Sequence, residues 1–551
     1  MTVNRRSFLK TLGGLALSAL PSHARPDHAA GAQASRQADW CGEAGAGRPL
    51  FIPGERGFLG RLALDDAPLT LRAGPLGQDN ADLRSIGLTQ AYFARHRGRE
   101  FANPTFVLQR GQRVRIELEN RIDEPTIVHW HGLAVDTRND GAGMSLAVPG
   151  ARYAYDFEVR NRSSLYWYHP HPHGLTAGQA YRGLFGQLEV EDDDERALRA
   201  ALDLTPGKSE IPLVLQDRRG GDYAASTADR MHGFLGDTVL INGTACPYLE
   251  VATRLYRFRI LNASNARTFR LGWRTAAGEP VPFALVGNDG GLLPSPQPCA
   301  EAFLATAERL DVLVDLTDFA VGDTLFLETR AFDPMHMEMS ATQDTPPIDH
   351  AAMGHAAPAT SATPLPDHAA MHHGGPFPEG APRTLLQLRV RDKVAYAAKV
   401  PTRLASLAPV DWSGASERPL RLGFAKGQWR INDRVFAMGE TPIEVRRDSA
   451  ETWLIRNYFN SMPHAMHVHG FAFEVLARET SPDQLTPLKI DARGRLATDL
   501  GRKDTVLVWP GESVRIGIDF SCPFAGEQTY MLHCHNLEHE DGGMMLGVKL
   551  V

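Results

Sequence analysis

The run HCHNLEHEDGGMM near the C-terminus constrains this chain more than any other feature. It places Cys534 between His533 and His535, followed by His539 and Met544. Successive side chains of an extended strand point to opposite faces, so Cys534 faces one way and its two neighbours face the other. A Cys, two His and a weakly bound Met form a blue-copper electron-transfer site. The run supplies three of those four ligands, and the second His has to come from elsewhere.

Three further histidine clusters lie upstream. The segment 461–470, SMPHAMHVHG, is the source that we expect for the missing ligand. The upstream clusters contain His464, His467 and His469; His129 and His131; and His169, His171 and His173. One His-X-His pair would be read as ordinary surface or core histidines. Four clusters, one of them with a cysteine, indicate a metal centre.

Three segments repeat one pattern, an alternating strand that ends in Asn. They are residues 111–122, 252–264 and 448–459. Short strand-like runs separated by turn signals accompany each copy, and the chain has 51 Gly and 37 Pro. We therefore predict an all-β protein of three similar β-sandwich domains. The expected domain bounds are 50–195, 205–395 and 405–551.

The histidine clusters fall only in the first and third copies. In the middle copy, the chain reads ARTFRLGW after Asn262, where a His-X-His pair would fall. The metal ligands therefore have to meet across an interface between the first and last domains. We expect the middle domain to act as a spacer.

The N-terminus has the features of an export signal. Arg5 and Arg6 precede a short apolar stretch, and small residues up to Ala24 suit a cleavage site. This pattern is typical of a bacterial twin-arginine signal over residues 1–24 and predicts a periplasmic protein.

In an oxidising periplasm, the four cysteines other than Cys534 can pair in three ways. The formal charge is −7, no basic patch predicts nucleic-acid binding, and no apolar run predicts a membrane span.

One insertion, residues 331–380, is rich in Ala, Pro, Met and His and shows no hydrophobic period. It contains five Met and six His. Thioether sulfur is soft and prefers Cu(I), so the composition favours a copper-binding loop. A neutral low-complexity linker is the alternative interpretation.

Taken together, the four motifs resemble those of the multicopper oxidase family, over essentially the whole mature chain. The resemblance implies three tandem cupredoxin-like domains with Greek-key topology and four copper ions. The implied ligands are His464, Cys534, His539 and Met544 for type 1; His129 and His467 for type 2; and His131, His169, His171, His469, His533 and His535 for the type 3 pair. It also implies that a donor reduces type 1 copper, and that the electrons pass through Cys534 to reduce O₂ to water.

Two acids match positions that the family uses for proton delivery. Asp140 follows the first histidine cluster, and Glu540 follows His539. The resemblance implies that both supply protons near the copper cluster.

The electron donor has two interpretations. The insertion and Met462 favour oxidation of Cu(I), as in the periplasmic cuprous oxidases of bacteria. The candidate substrate-copper ligands are Met462, Met335, Met337 and Met339. However, Asn460 replaces an acid expected in that branch, so a laccase that oxidises phenols is the alternative. A protein that only sequesters copper would not need the full ligand set. We expect a monomer.

Overall fold

The computed structural model describes residues 47–142, 145–337 and 377–551. These residues form six sheets and only short helices, so the all-β prediction is confirmed. Three large apolar cores lie between the sheets. The signal segment, Cys41 and residues 338–376 of the insertion, which include Met339, lie outside the described residues.

The first domain has two sheets that share one core. Its part of the chain contains β1 (Arg48–Pro49), β2 (Gly57–Phe58), β3 (Arg61–Ala63), β4 (Leu69–Pro75), β5 (Gln90–His96), β6 (Arg99–Ala102), β7 (Thr105–Gln109), β8 (Arg113–Asn120), β9 (Val128–His129), β10 (Arg152–Glu158), β11 (Ser164–Pro170) and β12 (Gly186–Glu191). Its helices are α1 (Ala81–Ser85), α2 (Thr137–Asp140), α3 (Thr176–Arg182) and α4 (Asp193–Ala201). The sheet orders are β10-β8-β4-β5-β6-β2 and β3-β7-β12-β11-β9.

The middle domain also has two sheets, one of which includes β1. Its strands are β13 (Glu210–Arg218), β14 (Thr238–Ile241), β15 (Thr244–Ala245), β16 (Pro247–Ala252), β17 (Leu255–Asn262), β18 (Phe269–Thr275), β19 (Pro280–Val281), β20 (Phe283–Asn288), β21 (Gly291–Cys299), β22 (Glu301–Leu304), β23 (Arg309–Asp315), β24 (Thr324–Thr329) and β25 (Arg383–Asp392). Helix α5 is Thr227–His232. The orders are β15-β14-β13-β17-β23-β20-β21 and β1-β16-β25-β24-β18-β19, with β22 on β18.

The third domain repeats the arrangement. Its strands are β26 (Ser416–Ala425), β27 (Gln428–Ile431), β28 (Ile443–Val445), β29 (Ala450–Asn457), β30 (His464–Val468), β31 (Phe473–Glu479), β32 (Thr505–Val508), β33 (Ser513–Asp519), β34 (Gln528–Cys534) and β35 (Met545–Leu550). Helix α6 is Leu537–Asp541, and short 3₁₀ helices cover Gln78–Asn80, Asp483–Leu488 and Ala497–Asp499. The orders are β27-β26-β29-β33-β31 and β28-β35-β34-β30-β32.

The three-fold repeat is visible in β8, β17 and β29, which end at Asn120, Asn262 and Asn457. Each strand has one parallel and one antiparallel neighbour. The buried Asn120 amide donates to the carbonyls of Glu124 and Ala147 at 2.9 and 2.7 Å. Asn262 and Asn457 make two equivalent bonds each. A buried amide satisfied in this way ties the strand end to neighbouring loops in all three domains.

The structure distinguishes paired from free cysteines. Cys246 is in a disulfide, whereas Cys299 and Cys522 carry free thiols. Among the described residues, no helix has the length and apolar character that a membrane span requires.

Candidate metal centre

Cys534, the last residue of β34, faces two buried histidines. Its Sγ lies 3.5 Å from Nδ1 of His464 and 3.6 Å from Nδ1 of His539. His464 begins β30, and His539 lies on α6. Met544 is fully buried in the same apolar core as Cys534. Its backbone N–H donates to the His539 carbonyl at 2.8 Å, and its carbonyl accepts from the Cys534 N–H at 3.1 Å. The structure therefore brings the four predicted type 1 ligands together.

Both type 1 histidines are held at their distal nitrogens. His464 Nε2 lies 3.1 Å from Oγ of Ser461, and His539 Nε2 donates to the Met231 carbonyl at 3.0 Å. The same carbonyl accepts the indole N–H of Trp429 at 2.8 Å. The Trp429 ring lies against both imidazoles, 4.6 and 5.0 Å away between centroids. Because a proton on Nε2 leaves a lone pair on Nδ1, these bonds direct the Nδ1 lone pairs toward Sγ.

Eight histidines from the first and third domains form a second cluster. They are His129, His131, His169, His171, His467, His469, His533 and His535. Strand register brings them close, since His129 is paired with His169 across β9 and β11, and His467 with His533 across β30 and β34. The cluster lies between the first and last domains, as predicted from the sequence.

Several ring nitrogens in this cluster face one another rather than a hydrogen-bond donor. The Nε2 atoms of His469 and His533 are 2.9 Å apart, and those of His169 and His535 are 3.3 Å apart. Nδ1 of His469 lies 2.8 Å from Asp140 Oδ2, and Nδ1 of His533 lies 3.1 Å from a backbone carbonyl. Protons on these Nδ1 atoms leave lone pairs on the facing Nε2 atoms. A cation shared by the facing nitrogens would replace the repulsion between their lone pairs with coordination.

Four buried ring nitrogens of the cluster have no hydrogen-bond partner within the described residues. They are Nε2 of His129, Nε2 of His467, Nδ1 of His131 and Nδ1 of His535. Nδ1 of His129 donates to the Asp140 carbonyl and Nδ1 of His467 to the Asp504 carbonyl, both at 2.7 Å. An unsatisfied buried acceptor costs about 1–3 kcal/mol, and a metal ion would remove that cost. His129 and His467 are the two residues predicted for type 2 copper.

The protonation states suit copper. Burial lowers the pKa of all eight imidazoles, to about 3 for His169 and His467 and to about 4 for His171. The imidazoles are therefore neutral at physiological pH, which is the state that binds metal. Burial raises the pKa of the Cys534 thiol to about 12, so copper binding there releases a proton. Neutral imidazoles with a soft thiolate form a donor set that fits copper.

Both predicted proton-delivery acids contact this cluster. Asp140 Oδ2 lies 2.8 Å from His469, while the Glu540 oxygens lie 3.5 Å from His171 and 3.3 Å from His533. Burial, with a smaller contribution from a neighbouring aspartate, raises the pKa of both carboxyls well above the usual range. Both acids therefore lie beside the metal ligands in surroundings that favour the protonated carboxyl.

Of the four candidate substrate-copper methionines, Met462, Met335 and Met337 lie in the described part of the chain, and Met339 does not. Met462 is 4% exposed and lies in the core of the third domain. The backbone N–H of Met337 donates to the Ser461 carbonyl at 2.9 Å. Met335 packs against the apolar cluster that contains Trp509.

Sequence reasoning missed Asp504 and the part that the middle domain plays. Asp504 Oδ1 lies 3.1 Å from His131 Nε2, and Arg309 of the middle domain donates to the same oxygen at 2.9 Å. The Thr306 hydroxyl donates to the His535 carbonyl at 2.9 Å. The expectation that the middle domain is only a spacer is therefore wrong. No local spacing marks these residues in the sequence, because their partners come from distant strands.

Comparisons with known proteins agree with this geometry. Two multicopper oxidase sequence models match residues 96–195 and 410–550. The multicopper oxidase mco of Staphylococcus haemolyticus is 30% identical over 454 residues, 81% of each chain. The crystal structure of the McoA multicopper oxidase of Aquifex aeolicus is 31% identical, with a TM-score of 0.75 over 92% of this chain and 99% of that chain.

A third relative is a laccase-like enzyme. The laccase-like multicopper oxidase CueO from an Ochrobactrum species is 26% identical, with a TM-score of 0.68 over 91% of this chain and 100% of that chain. The likeness to these solved structures confirms the cupredoxin-like fold. The shared sequence, fold and copper-binding donor set show that the chain belongs to the multicopper oxidase family.

Proposed function

We propose that this multicopper oxidase takes its electrons from Cu(I) and serves copper tolerance in the periplasm. Four Cu(I) ions each lose one electron, and these electrons with four protons reduce one O₂ to two waters. The resident coppers supply the storage and transfer of electrons. The chain has to hold those coppers, admit the donor and supply the protons.

The position of residues 331–337, the described beginning of the Met/His-rich insertion, carries this proposal. Met337, at its start, donates its backbone N–H to the Ser461 carbonyl, and Ser461 Oγ lies 3.1 Å from His464 Nε2. Met337 is therefore linked to the type 1 ligand His464 through Ser461, by two hydrogen bonds. Thioether side chains there favour Cu(I) over harder ions.

The surroundings of His539 also favour a small donor. Its Nε2 is bonded to the Met231 carbonyl, and Trp429 covers the ring. A bulky phenol would have to displace the end of α5 to hydrogen-bond this imidazole. A metal ion held nearby needs only an electron path.

The covalent chain supplies the route onward. Cys534, the last residue of β34, is bonded in the chain to His533 before it and His535 after it. The backbone at the end of β34 therefore connects the type 1 site directly to the histidine cluster. Asp140 and Glu540 would supply protons beside that cluster, because burial favours the protonated form of both carboxyls.

Oxidation of phenols is the second candidate function. The Ochrobactrum enzyme is described as laccase-like, with oxidase activity towards lignin model compounds and lignosulfonate. Asn460, four residues before His464, is neutral and would hold a Cu(I) ion less strongly than an acid. Both observations support a laccase.

We also propose export by the twin-arginine route, on the evidence of Arg5 and Arg6. Replacing both with Lys should leave the protein in the cytoplasm of cells fractionated after expression. Unchanged periplasmic recovery would contradict this route.

Oxygen consumption with Cu(I), compared with oxidation of 2,6-dimethoxyphenol, tests the donor. Both rates are measured for the intact protein and for a variant lacking residues 338–376. The deletion starts after Met337 because His336 is buried and pairs with Glu379. We expect Cu(I) turnover to fall while phenol oxidation is retained.

The matched control keeps the length of the insertion and replaces Met339, Met353 and Met371 with Gln. It should lose Cu(I) turnover as the deletion does, if sulfur recruits the substrate. Poor Cu(I) turnover by the intact protein with good phenol turnover in all forms would establish the laccase instead.

A further inference from the structure

Arg309, at the start of β23, has a buried guanidinium group with all five N–H donors engaged. Nε donates to the Leu165 carbonyl at 3.0 Å, Nη1 to the Ala307 carbonyl at 2.8 Å, and Nη2 to the Asp289 carbonyl at 3.0 Å. The remaining donors of Nη1 and Nη2 bind the two carboxylate oxygens of Asp504. These acceptors come from all three domains, so one side chain joins them.

Asp504 connects this guanidinium to the histidine cluster. Its Oδ1 lies 3.1 Å from Nε2 of His131, and its carbonyl accepts from Nδ1 of His467 at 2.7 Å. A carboxylate bonded to Nε2 keeps the proton there and leaves Nδ1 for a metal. Nδ1 of His131 has no hydrogen-bond partner within the described residues, so it is available to a metal ion.

The close approach of this pair also accounts for the glycine after His131. Gly132 has a φ of +86°, and a Cβ there would lie 2.4 Å from Asp504 Oδ2 and 3.2 Å from Arg309 Nη2. Any side chain would push the carboxylate away from the imidazole. The HWHG motif therefore supplies two predicted ligands, and its glycine leaves room for the Asp504 carboxylate.

We propose that Arg309 is a positioning residue for the copper cluster. By a two-point ion pair it orients Asp504, which sets the free ring nitrogen of His131 and the direction of His467. The middle domain, from which no predicted ligand comes, thus takes a direct part in building the site. This inference concerns the resident coppers and is independent of the electron donor.

Copper affinity of the cluster tests the proposal without relying on turnover. The variant Arg309→Leu is equilibrated against a copper chelator, and bound copper is measured by elemental analysis together with the type 2 electron paramagnetic resonance signal. We expect about a 10–100-fold loss of affinity in the cluster, the range for losing a partner of a metal-binding histidine. The blue absorption of type 1 copper should remain.

A conservative variant separates charge from geometry. Arg309→Lys keeps the positive charge but has three donors and no planar fork. It should recover only part of the lost affinity. Full recovery would show that charge alone suffices and would overturn a positioning role.

Arg257→Leu is the matched control. Arg257 is another buried arginine of the middle domain, and it pairs with Glu195 and Asp311. It should lower the Tm but leave cluster copper unchanged. Unchanged copper affinity in Arg309→Leu, or equal loss in both Leu variants, would overturn the proposal. If Arg309→Leu does not fold, the copper affinities of Arg309→Lys and Asp504→Asn test the proposal instead. Wild-type copper affinity in both of these variants would also overturn the proposal.

Discussion

At the residue scale, the hydrogen bond that a histidine makes through one ring nitrogen decides that its other ring nitrogen is the one that can bind metal. His129 and His467 are bonded at Nδ1 to backbone carbonyls, which leaves Nε2 facing the cluster. His131 is bonded at Nε2 to Asp504 and presents Nδ1 instead. The same residue type thus serves in two orientations, because its partner differs.

The two buried acids should control the reduction of O₂. Asp140→Asn and Glu540→Gln remove a carboxyl proton but keep shape, so we expect kcat for oxygen consumption to fall about 10²-fold, as for loss of a general acid. Reduction of type 1 copper measured without oxygen should keep its rate, which serves as the internal control. Wild-type oxygen consumption in both variants would rule out proton delivery by these acids.

Glu538 should make the stability of the metal-free protein depend on pH. Burial raises the pKa of this carboxyl from 4.5 to about 6, although it accepts bonds from Asn265 and the Phe234 N–H. Between these values the folded state binds the proton more tightly, so unfolding releases it. The free energy of unfolding therefore falls by up to about 2 kcal/mol as pH rises through this window.

Urea denaturation of the metal-free protein at several pH values between 4.5 and 6.5 measures this effect. Glu538→Gln does not titrate, and its stability should fall less steeply with pH over that range. Identical slopes for the variant and the wild type would show that Glu538 is not the responsible group.

At the scale of elements, strand ends and tight turns place the ligands. Helix α2 ends at Asp140, and Gly141 follows with a φ of +73°. A Cβ at Gly141 would lie 1.9 Å from the Val128 carbonyl and 3.0 Å from the Cα of His129. The turn therefore brings α2 against β9, which places Asp140 beside the histidine that β9 carries.

Gly141→Ala should separate these two elements. Left-handed backbone strain and the overlap with β9 together should cost about 3 kcal/mol or more of unfolding free energy, with loss of type 2 copper. Gly150→Ala is the control, because it has a φ of +81° but open space around its Cβ. It should cost about 1–2 kcal/mol and keep its copper. Denaturation and copper analysis measure both, and equal effects would contradict the packing argument.

At the scale of the whole molecule, buried ion pairs join the domains around the cluster. Lys503, beside Asp504, lies 2.8 Å from Asp289 and 3.2 Å from Glu308 of the middle domain. Although burial opposes it, these carboxylates hold the pKa of Lys503 above its usual value. The third domain is therefore fixed to the second close to the site.

Lys503→Met should destabilise the protein by about 3–5 kcal/mol, because two buried carboxylates lose their partner. Lys549→Met, which breaks a more exposed pair with Glu527, should change the stability little, because water screens that pair. Urea denaturation of both variants provides the comparison. A loss for Lys503→Met no larger than that for the exposed pair would show that the interface network adds little.

The sequence by itself determined the fold class and the predicted copper ligands. Those ligands occur in short motifs, and the two-residue period of a strand sets which of them share a face. The strands β8, β17 and β29 likewise all end in Asn, a local pattern that is visible in the sequence of each domain.

Only the tertiary structure decided which groups orient those ligands. Arg309 lies 195 residues from Asp504, and Met231 lies 308 residues from His539. Such partners follow no local spacing, because they meet only when separate domains pack together. The bonds that choose each ring nitrogen, and the part that the middle domain takes in the site, depend on that packing.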